Sequence, residues 1–190
     1  IYDRLMSGMG EFLTELRPTV ALFLRFSGID YDGDPESQTK LNTYLQAVQR
    51  ILARYDSYML QLTIGDKGSN FYISFGAPLA HEDDAIRAVR AALELRDLQM
   101  DFISGVQIGV SQGLSRTGAC GGVYRRTYSA IGDAVNMAAR LMQSAPIGQV
   151  LVHQNVRKAT ADHFTWNELP PLQVKGKSQP VNVFQLVSRE

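Results

Sequence analysis

Tyr128 to Arg140 reads YSAIGDAVNMAAR, and the rest of the chain is organised around it. Tyr128-Ser129-Ala130-Ile131 is a short β-like run that turns at Gly132-Asp133. A helix then begins, with Asp133 placed to cap free N–H groups and to complement the helix dipole. Asn136 and Arg140 are four residues apart, so on a helix they share one face, one turn apart. An amide beside a guanidinium, just past a glycine turn, suits an oxygen-rich, anionic ligand. The same spacing also fits two solvated polar residues on an amphipathic helix.

Upstream, Thr19–Phe26 is a nearly continuous apolar run, the mark of a buried strand. From Ser37, Leu41, Tyr44, Leu45, Val48, Ile51, Leu52 and Tyr55 recur at steps of three and four, which predicts a helix with one apolar stripe. Tyr58–Ile64 and a run through Phe71–Phe75 predict two strands joined by the turn Gly65-Asp66-Lys67-Gly68. The acidic cluster Glu82-Asp83-Asp84 favours a helix start, and Ile86, Val89 and Leu93 supply that helix with a packing face. Val106, Ile108 and Val110 alternate with polar or small residues, predicting a fourth strand. The order β-α-β-β-α-β is that of the ferredoxin-like plait, an α+β sheet with helices on one face.

Gly113–Arg126 is glycine-rich and basic and reads as a β-excursion or a loop. After the central stretch come a strand at Gln149–His153, a short helix near Val156–Asp162, and a strand pair. That pair spans roughly Thr165–Val174 and Val181–Val187, with Lys175-Gly176-Lys177 at its turn. Residues 1–17 form a mildly amphipathic segment, read as a linker or N-terminal helix ahead of a domain at 18–190.

A chain of 190 residues, 45% apolar and 20% charged, suits one domain with a substantial core. Nineteen basic and nineteen acidic side chains cancel, which argues against a general nucleic-acid binder. The single cysteine, Cys120, excludes an intrachain disulfide and fits a reducing, cytoplasmic compartment. No apolar run approaches the ~20 residues needed to span a bilayer. The start at Ile1 rather than Met suggests a domain cut from a longer protein.

The stretch Tyr128–Arg140 resembles the signature of the class III nucleotidyl cyclases, which carry a tyrosine, a base-selecting residue, a glycine turn and then V-N-x-A-x-R. The similarity runs from about Pro18 to Val187, and it implies the ferredoxin-like βαββαβ core with a C-terminal αβ extension. The family's sites lie at a dimer interface. There two aspartates hold two Mg²⁺ (or Mn²⁺) ions, an Asn–Arg pair handles ribose and transition-state charge, and a lysine grips the triphosphate. Asn136 and Arg140 match the catalytic pair. Ser129 takes the base-selecting position, and its hydroxyl can donate or accept, leaving adenine and guanine both open. Lys175 and Lys177, in VKGK, resemble the triphosphate-binding lysine, with Lys177 the better match; basic residues in an exposed turn are otherwise simply solvated.

The metal half departs from the family. Arg25 stands where the first metal aspartate belongs, and a fixed cation there repels Mg²⁺. Asp66 keeps the second metal position, as a turn residue or as a remnant of a metal site. Leu62 replaces the base-reading lysine. Asp30, Asp32 and Asp34 have turn spacing rather than metal-motif spacing.

Broken metal residues beside a retained transition-state pair are similar to the C2-type second domain of soluble, bicarbonate-responsive adenylyl cyclases. The resemblance therefore implies half of an active site. The other half would come from a metal-bearing C1-type domain in the same or another chain, which would hold most of the Mg²⁺ or Mn²⁺ coordination. The reaction implied is conversion of ATP to cyclic AMP. A homodimer of the isolated domain is expected to be nearly inactive. The alternative is a catalytically inactive module for dimerisation or nucleotide sensing.

Overall fold

The computed structural model describes residues 15–65, 68–122, 124–174 and 177–189. Strand β1, Glu15–Ser27, lies in the middle of an eight-stranded sheet. Its alternate residues Val20, Leu22, Leu24 and Phe26 are buried in the main core, while Ala21 faces the other side. Both faces of β1 are covered, which is why its sequence reads as continuous apolar residues rather than as alternation.

Helix α1 (Ser37–Ala53) follows β1, then β2 (Tyr58–Thr63), β3 (Ser69–Phe75), helix α2 (Asp84–Asp97) and β4 (Gly105–Gly121). The neighbours run β2-β3-β1-β4, and β1 is antiparallel to both β3 and β4. This is the predicted ferredoxin-like order. Helices α1 and α2 pack on one face through Tyr44, Val48, Ala88, Val89 and Leu95, with small alanines on α2 allowing close approach.

The sheet then continues. Strand β5 (Arg126–Ile131) pairs with the distal half of β4, while β6 (Gln149–His153) runs parallel to its first half. Helix α3 (Asp133–Ser144) joins β5 to β6, and β8 (Val183–Arg189) and β7 (Phe164–Glu168) complete the far edge. Between β6 and β7 lie a short helix α4 (Gln154–Ala159) and a 3₁₀ turn at Ala161–His163. Helix α3 lies on the face opposite α1 and α2: Met137 and Leu141 pack with Leu151 and Val183, and Ala138 packs with Ala21 and Tyr72. Helices on one face therefore describe the core alone. Among the described residues no helix is long and apolar enough to cross a membrane.

Several boundaries differ from the sequence expectation. Glu15–Arg17, read as the end of a linker, belong to β1, because the long β4 supplies partners for them through Ser115–Thr117. The first fourteen residues of that linker lie outside the described residues. Of the two readings open for Gly113–Arg126, a β-excursion or a loop, Gly113–Gly121 takes the first, since it is paired with β1 on one side and β5 on the other. The last strand pair is shorter than predicted. Pro170 and Pro171 have no N–H to donate to a ladder, and among the described residues the pairing beyond β7 is reduced to the Leu169 N–H bond to the Val183 carbonyl and the isolated bridge Leu172–Val181. Asp133 does not cap α3: Gly132 occupies the cap position, and no side chain accepts a hydrogen bond there. Asp133 sits in the first turn, where its charge still complements the dipole.

Candidate active site

The site is built where β5 turns into α3. Gly132 passes so close to β4 that a Cβ on it would lie 2.7 Å from the Leu114 carbonyl oxygen, so only glycine permits this turn. Helix α3 then buries Ala134, Met137, Ala138, Leu141 and Met142 against the sheet. Its contact with β4 is made at Gly109, where a Cβ would come within 2.2 Å of the Ala138 carbonyl oxygen. With that face occupied, Asn136 is exposed and Arg140 half-buried on the other. Neither side chain makes a hydrogen bond or ion pair among the described residues. One face of α3 thus offers an uncommitted amide and an uncommitted guanidinium.

A cavity of about 220 Å³ opens beside Asn136, lined by Ser129, Asn136, Leu60 and Gln61, with Phe23 and Tyr72 also in its wall. The two aromatic rings are stacked, 4.8 Å between centroids and 3° from parallel. The Tyr72 hydroxyl donates to the Ala130 carbonyl at 2.9 Å, which draws β5 over the face of the sheet. Burial pushes the Tyr72 phenol above its ordinary range, so it remains a donor at any physiological pH. Ser129 and Asn136 therefore share one cavity.

Lys177 lies elsewhere in the monomer. It lines a second cavity, about 600 Å³, on the opposite side of the first turn of α3, together with Asp133, His153, Asn155 and Gln112. Its ammonium donates to Asp133 Oδ2 at 2.6 Å. His153 Nδ1 accepts from the Asn155 backbone N–H at 3.3 Å. Burial, reinforced by the neighbouring Lys177 charge, holds the His153 imidazole below its ordinary pKa. Lys175 lies outside the described residues.

On β1, Arg25 is flanked by Asn70 and Gln107 on the neighbouring strands. Its side chain lies against Gly68 at the end of the β2–β3 turn, where a Cβ would be 3.4 Å from Arg25 Cδ. Among the described residues the Arg25 Nε is buried without a partner. The Gly68 N–H closes the turn on the Gly65 carbonyl at 2.9 Å, and Asp66 lies outside the described residues. Two of the three upstream aspartates, Asp30 and Asp34, brace the loop with their carboxylates. Asp30 Oδ1 accepts from the N–H groups of Asp32 and Gly33, and Asp34 accepts from the Glu36 N–H and pairs with Lys40 at 2.5 Å.

Among the described residues no group of three or more His, Cys, Asp or Glu side chains is placed to hold a metal ion. With a guanidinium where the resemblance expects the first metal ligand, the described residues do not fit a Mg²⁺ or Mn²⁺ site. Two contributors escaped the sequence reading. The Phe23–Tyr72 floor looked like ordinary core. Gln61 lines the cavity, whereas its neighbour Leu62, which the resemblance aligns with a base-reading lysine, packs against the main core.

Residues 25–188 match the family described as adenylate and guanylate cyclase catalytic domain, and the chain belongs to that family. Among curated relatives it is similar to adenylate cyclase type 10 of Homo sapiens, 26% identical over 181 residues, covering 94% of this chain and 11% of the relative. The chain thus spans about a tenth of that relative's length. Among solved structures it is similar to the adenylyl cyclase CyaB from P. aeruginosa, with a TM-score of 0.81 at 23% identity, covering 92% of this chain and 96% of that one. It is also similar to the guanylate cyclase domain of RhGC from Catenaria anguillulae, solved in complex with GTP, with a TM-score of 0.80 at 22% identity, covering 91% of this chain and 97% of that one. Likeness at such identity establishes the fold.

Proposed function

We propose that this domain is the C2-type half of a class III nucleotidyl cyclase. It would complete an active site by pairing with a metal-bearing C1-type domain, in the same or another chain, and the complete site would convert ATP to cyclic AMP and pyrophosphate. The observation that carries this reading is the division of charge on the sheet. Asn136 and Arg140 stand uncommitted on one face of α3, with Asn136 in the cavity of Ser129, whereas β1 presents the cation Arg25 where a metal ligand would be needed.

In the reaction the ribose 3′-oxygen bonds to the α-phosphorus, the bond to the β-phosphate oxygen breaks, and the 3′-hydroxyl proton is lost. Negative charge accumulates on the α-phosphoryl oxygens and on the departing pyrophosphate. A guanidinium that is not already paired is suited to meet the first. The amide of Asn136 would orient the ribose, since positioning contributes much of the rate in phosphoryl chemistry. Lys177 would take the triphosphate, exchanging its present partner Asp133 for phosphate oxygens. Mg²⁺ or Mn²⁺ would be held by the partner domain.

The test is cyclase activity of this chain alone and mixed with a C1-type domain, with Mg²⁺ and ATP or GTP. Activity confined to the mixture, and reduced about 10²–10³-fold by Arg140→Ala, is the expected result. High activity of this chain alone would sink the half-site reading. Nucleotide binding without activity in either case would favour the sensor module, for which the cation at position 25 is an equally natural feature.

A further inference from the structure

We infer that the groove between α1 and α2, on the face of the sheet opposite α3, is a binding site for a small organic phosphate such as a nucleoside monophosphate. Arg50 and Arg90 take the phosphoryl group there, and the apolar lining between the helices takes the body of the ligand. The inference stands apart from the cyclase reading, because no residue of the groove belongs to the site described above.

The groove follows from helical spacing. Ala47, Arg50, Ile51 and the capping Arg54 recur at steps of three and four on α1, and Arg90, Leu93, Glu94 and Asp97 do so on α2. Each set therefore shares one face. The two faces meet across a cavity of about 660 Å³, within the ~300–1,000 Å³ of pockets that hold small ligands. Ile51 and Leu93, both buried, and Leu98, just past the end of α2, give it an apolar lining.

Its charge is one-sided. Four guanidinium groups line it against two carboxylates, in a chain of zero formal net charge. Two of the four are committed. Arg54 is paired with Glu94, which ties α1 to α2. Arg96 grips Asp97 through Nε at 2.7 Å and Nη2 at 3.2 Å, while its Nη1 donates to the Val187 carbonyl at 3.0 Å and ties the end of α2 to β8. Both carboxylates are thereby matched and the walls are held. Arg50 is exposed and Arg90 half-buried, and among the described residues neither guanidinium makes a hydrogen bond or an ion pair.

Exposed arginines on a helix are ordinarily just solvated. Here two unpaired guanidinium groups share one concavity, and a cleft of one sign focuses the field of its charges. A guanidinium meets a phosphoryl group with two parallel N–H donors and stacks on aromatic rings. A carboxylate carries one charge, whereas a phosphate monoester near its dianion answers both groups at once.

The experiment titrates the full chain, without divalent cations, into a fluorescent N-methylanthraniloyl derivative of AMP. With no metal and no partner domain the cyclase half-site is incomplete, so binding reports the groove. Wild type is compared with Arg50→Gln, Arg90→Gln and Arg140→Gln, and melting temperatures verify that each variant is folded. Either groove substitution should weaken binding about tenfold, and Arg140→Gln should leave it unchanged. AMP should displace the probe at about tenfold lower concentration than inorganic phosphate, because only an organic ligand gains from the apolar lining. Absence of binding by wild type, or binding that survives both groove substitutions, would overturn the inference. So would loss of binding confined to Arg140→Gln, which would place the nucleotide beside α3 and support the cyclase reading. Equal displacement by AMP and inorganic phosphate would also overturn it, leaving a simple anion patch. Failure of the mixture with a C1-type domain to make cyclic AMP would count against the cyclase reading alone.

Discussion

Lys177 and Asp133 are 44 residues apart in sequence, yet the lysine ammonium lies 2.6 Å from the aspartate carboxylate. The pair ties the loop before β8 to the first turn of the helix that carries Asn136 and Arg140. Asp133 is 71% exposed and Lys177 32%. Such a pair contributes about 0.2–1 kcal/mol, little enough for a phosphate to displace the carboxylate.

Asp133→Asn is therefore expected to free the lysine with little loss of stability and to tighten pyrophosphate binding about two- to fivefold at low salt. The gain should shrink as salt rises. Lys177→Ala should weaken the same binding. Calorimetric titration of both variants decides the matter, and two unchanged affinities would remove Lys177 from the phosphate site.

Gly109→Ala tests the seat of α3. Its Cβ would meet the Ala138 carbonyl oxygen at 2.2 Å and the Met142 nitrogen at 2.3 Å, both of them backbone atoms that cannot rotate away. The helix must lift, at a cost of about 1–3 kcal/mol. For a domain of this size that lowers the melting temperature by roughly 2–4 °C per kcal/mol. Cyclase activity of the mixture, assayed well below melting, should fall as well, because Asn136 and Arg140 move with the helix. Wild-type stability would contradict the packing described.

Tyr72→Phe removes one hydroxyl and leaves the ring. The Ala130 carbonyl then loses a buried partner, which costs about 1 kcal/mol in urea unfolding, while the stacking on Phe23 persists. Amide hydrogen exchange should accelerate in β5, which that bond draws over the sheet, and stay unchanged in α1. Unchanged exchange in β5 would show that the bond does not hold the strand.

His153 links the second cavity to pH. Its folded-state pKa is depressed from 6.5, chiefly by burial and then by Lys177. Between the folded and unfolded values the unfolded chain binds more protons, so stability rises with pH there. The stabilisation is complete above about 6.5 and is lost as pH falls toward the folded pKa. His153→Asn, which keeps an acceptor for the Asn155 N–H, should flatten this part of the acid limb in melting temperatures taken from pH 7.5 down to 5. An unaltered slope would assign it to other groups.

The amino-acid sequence alone determined the order of elements, because that information is local. The stripe from Leu41 to Tyr55, the glycine turn at 65–68 and the alternation at Val106–Val110 each declare a period that neighbouring residues can express by themselves. It also placed Asn136 and Arg140 on one helical face, since their spacing and the helix settle that together. Tertiary structure decided what depends on partners distant in sequence. Glu15–Arg17 and Gly113–Gly121 are strands because each is the other's partner or borders β5, and neither run shows it in isolation. Whether Asn136 shares a cavity with Ser129 or with Lys177 depends on which side of α3 each loop passes. Leu62 and Gln61 exchanged faces through a single inserted residue; hydrophobicity along β2 could not announce that, because Leu60 and Leu62 are equally apolar and the bulge exists only in the pairing with β3.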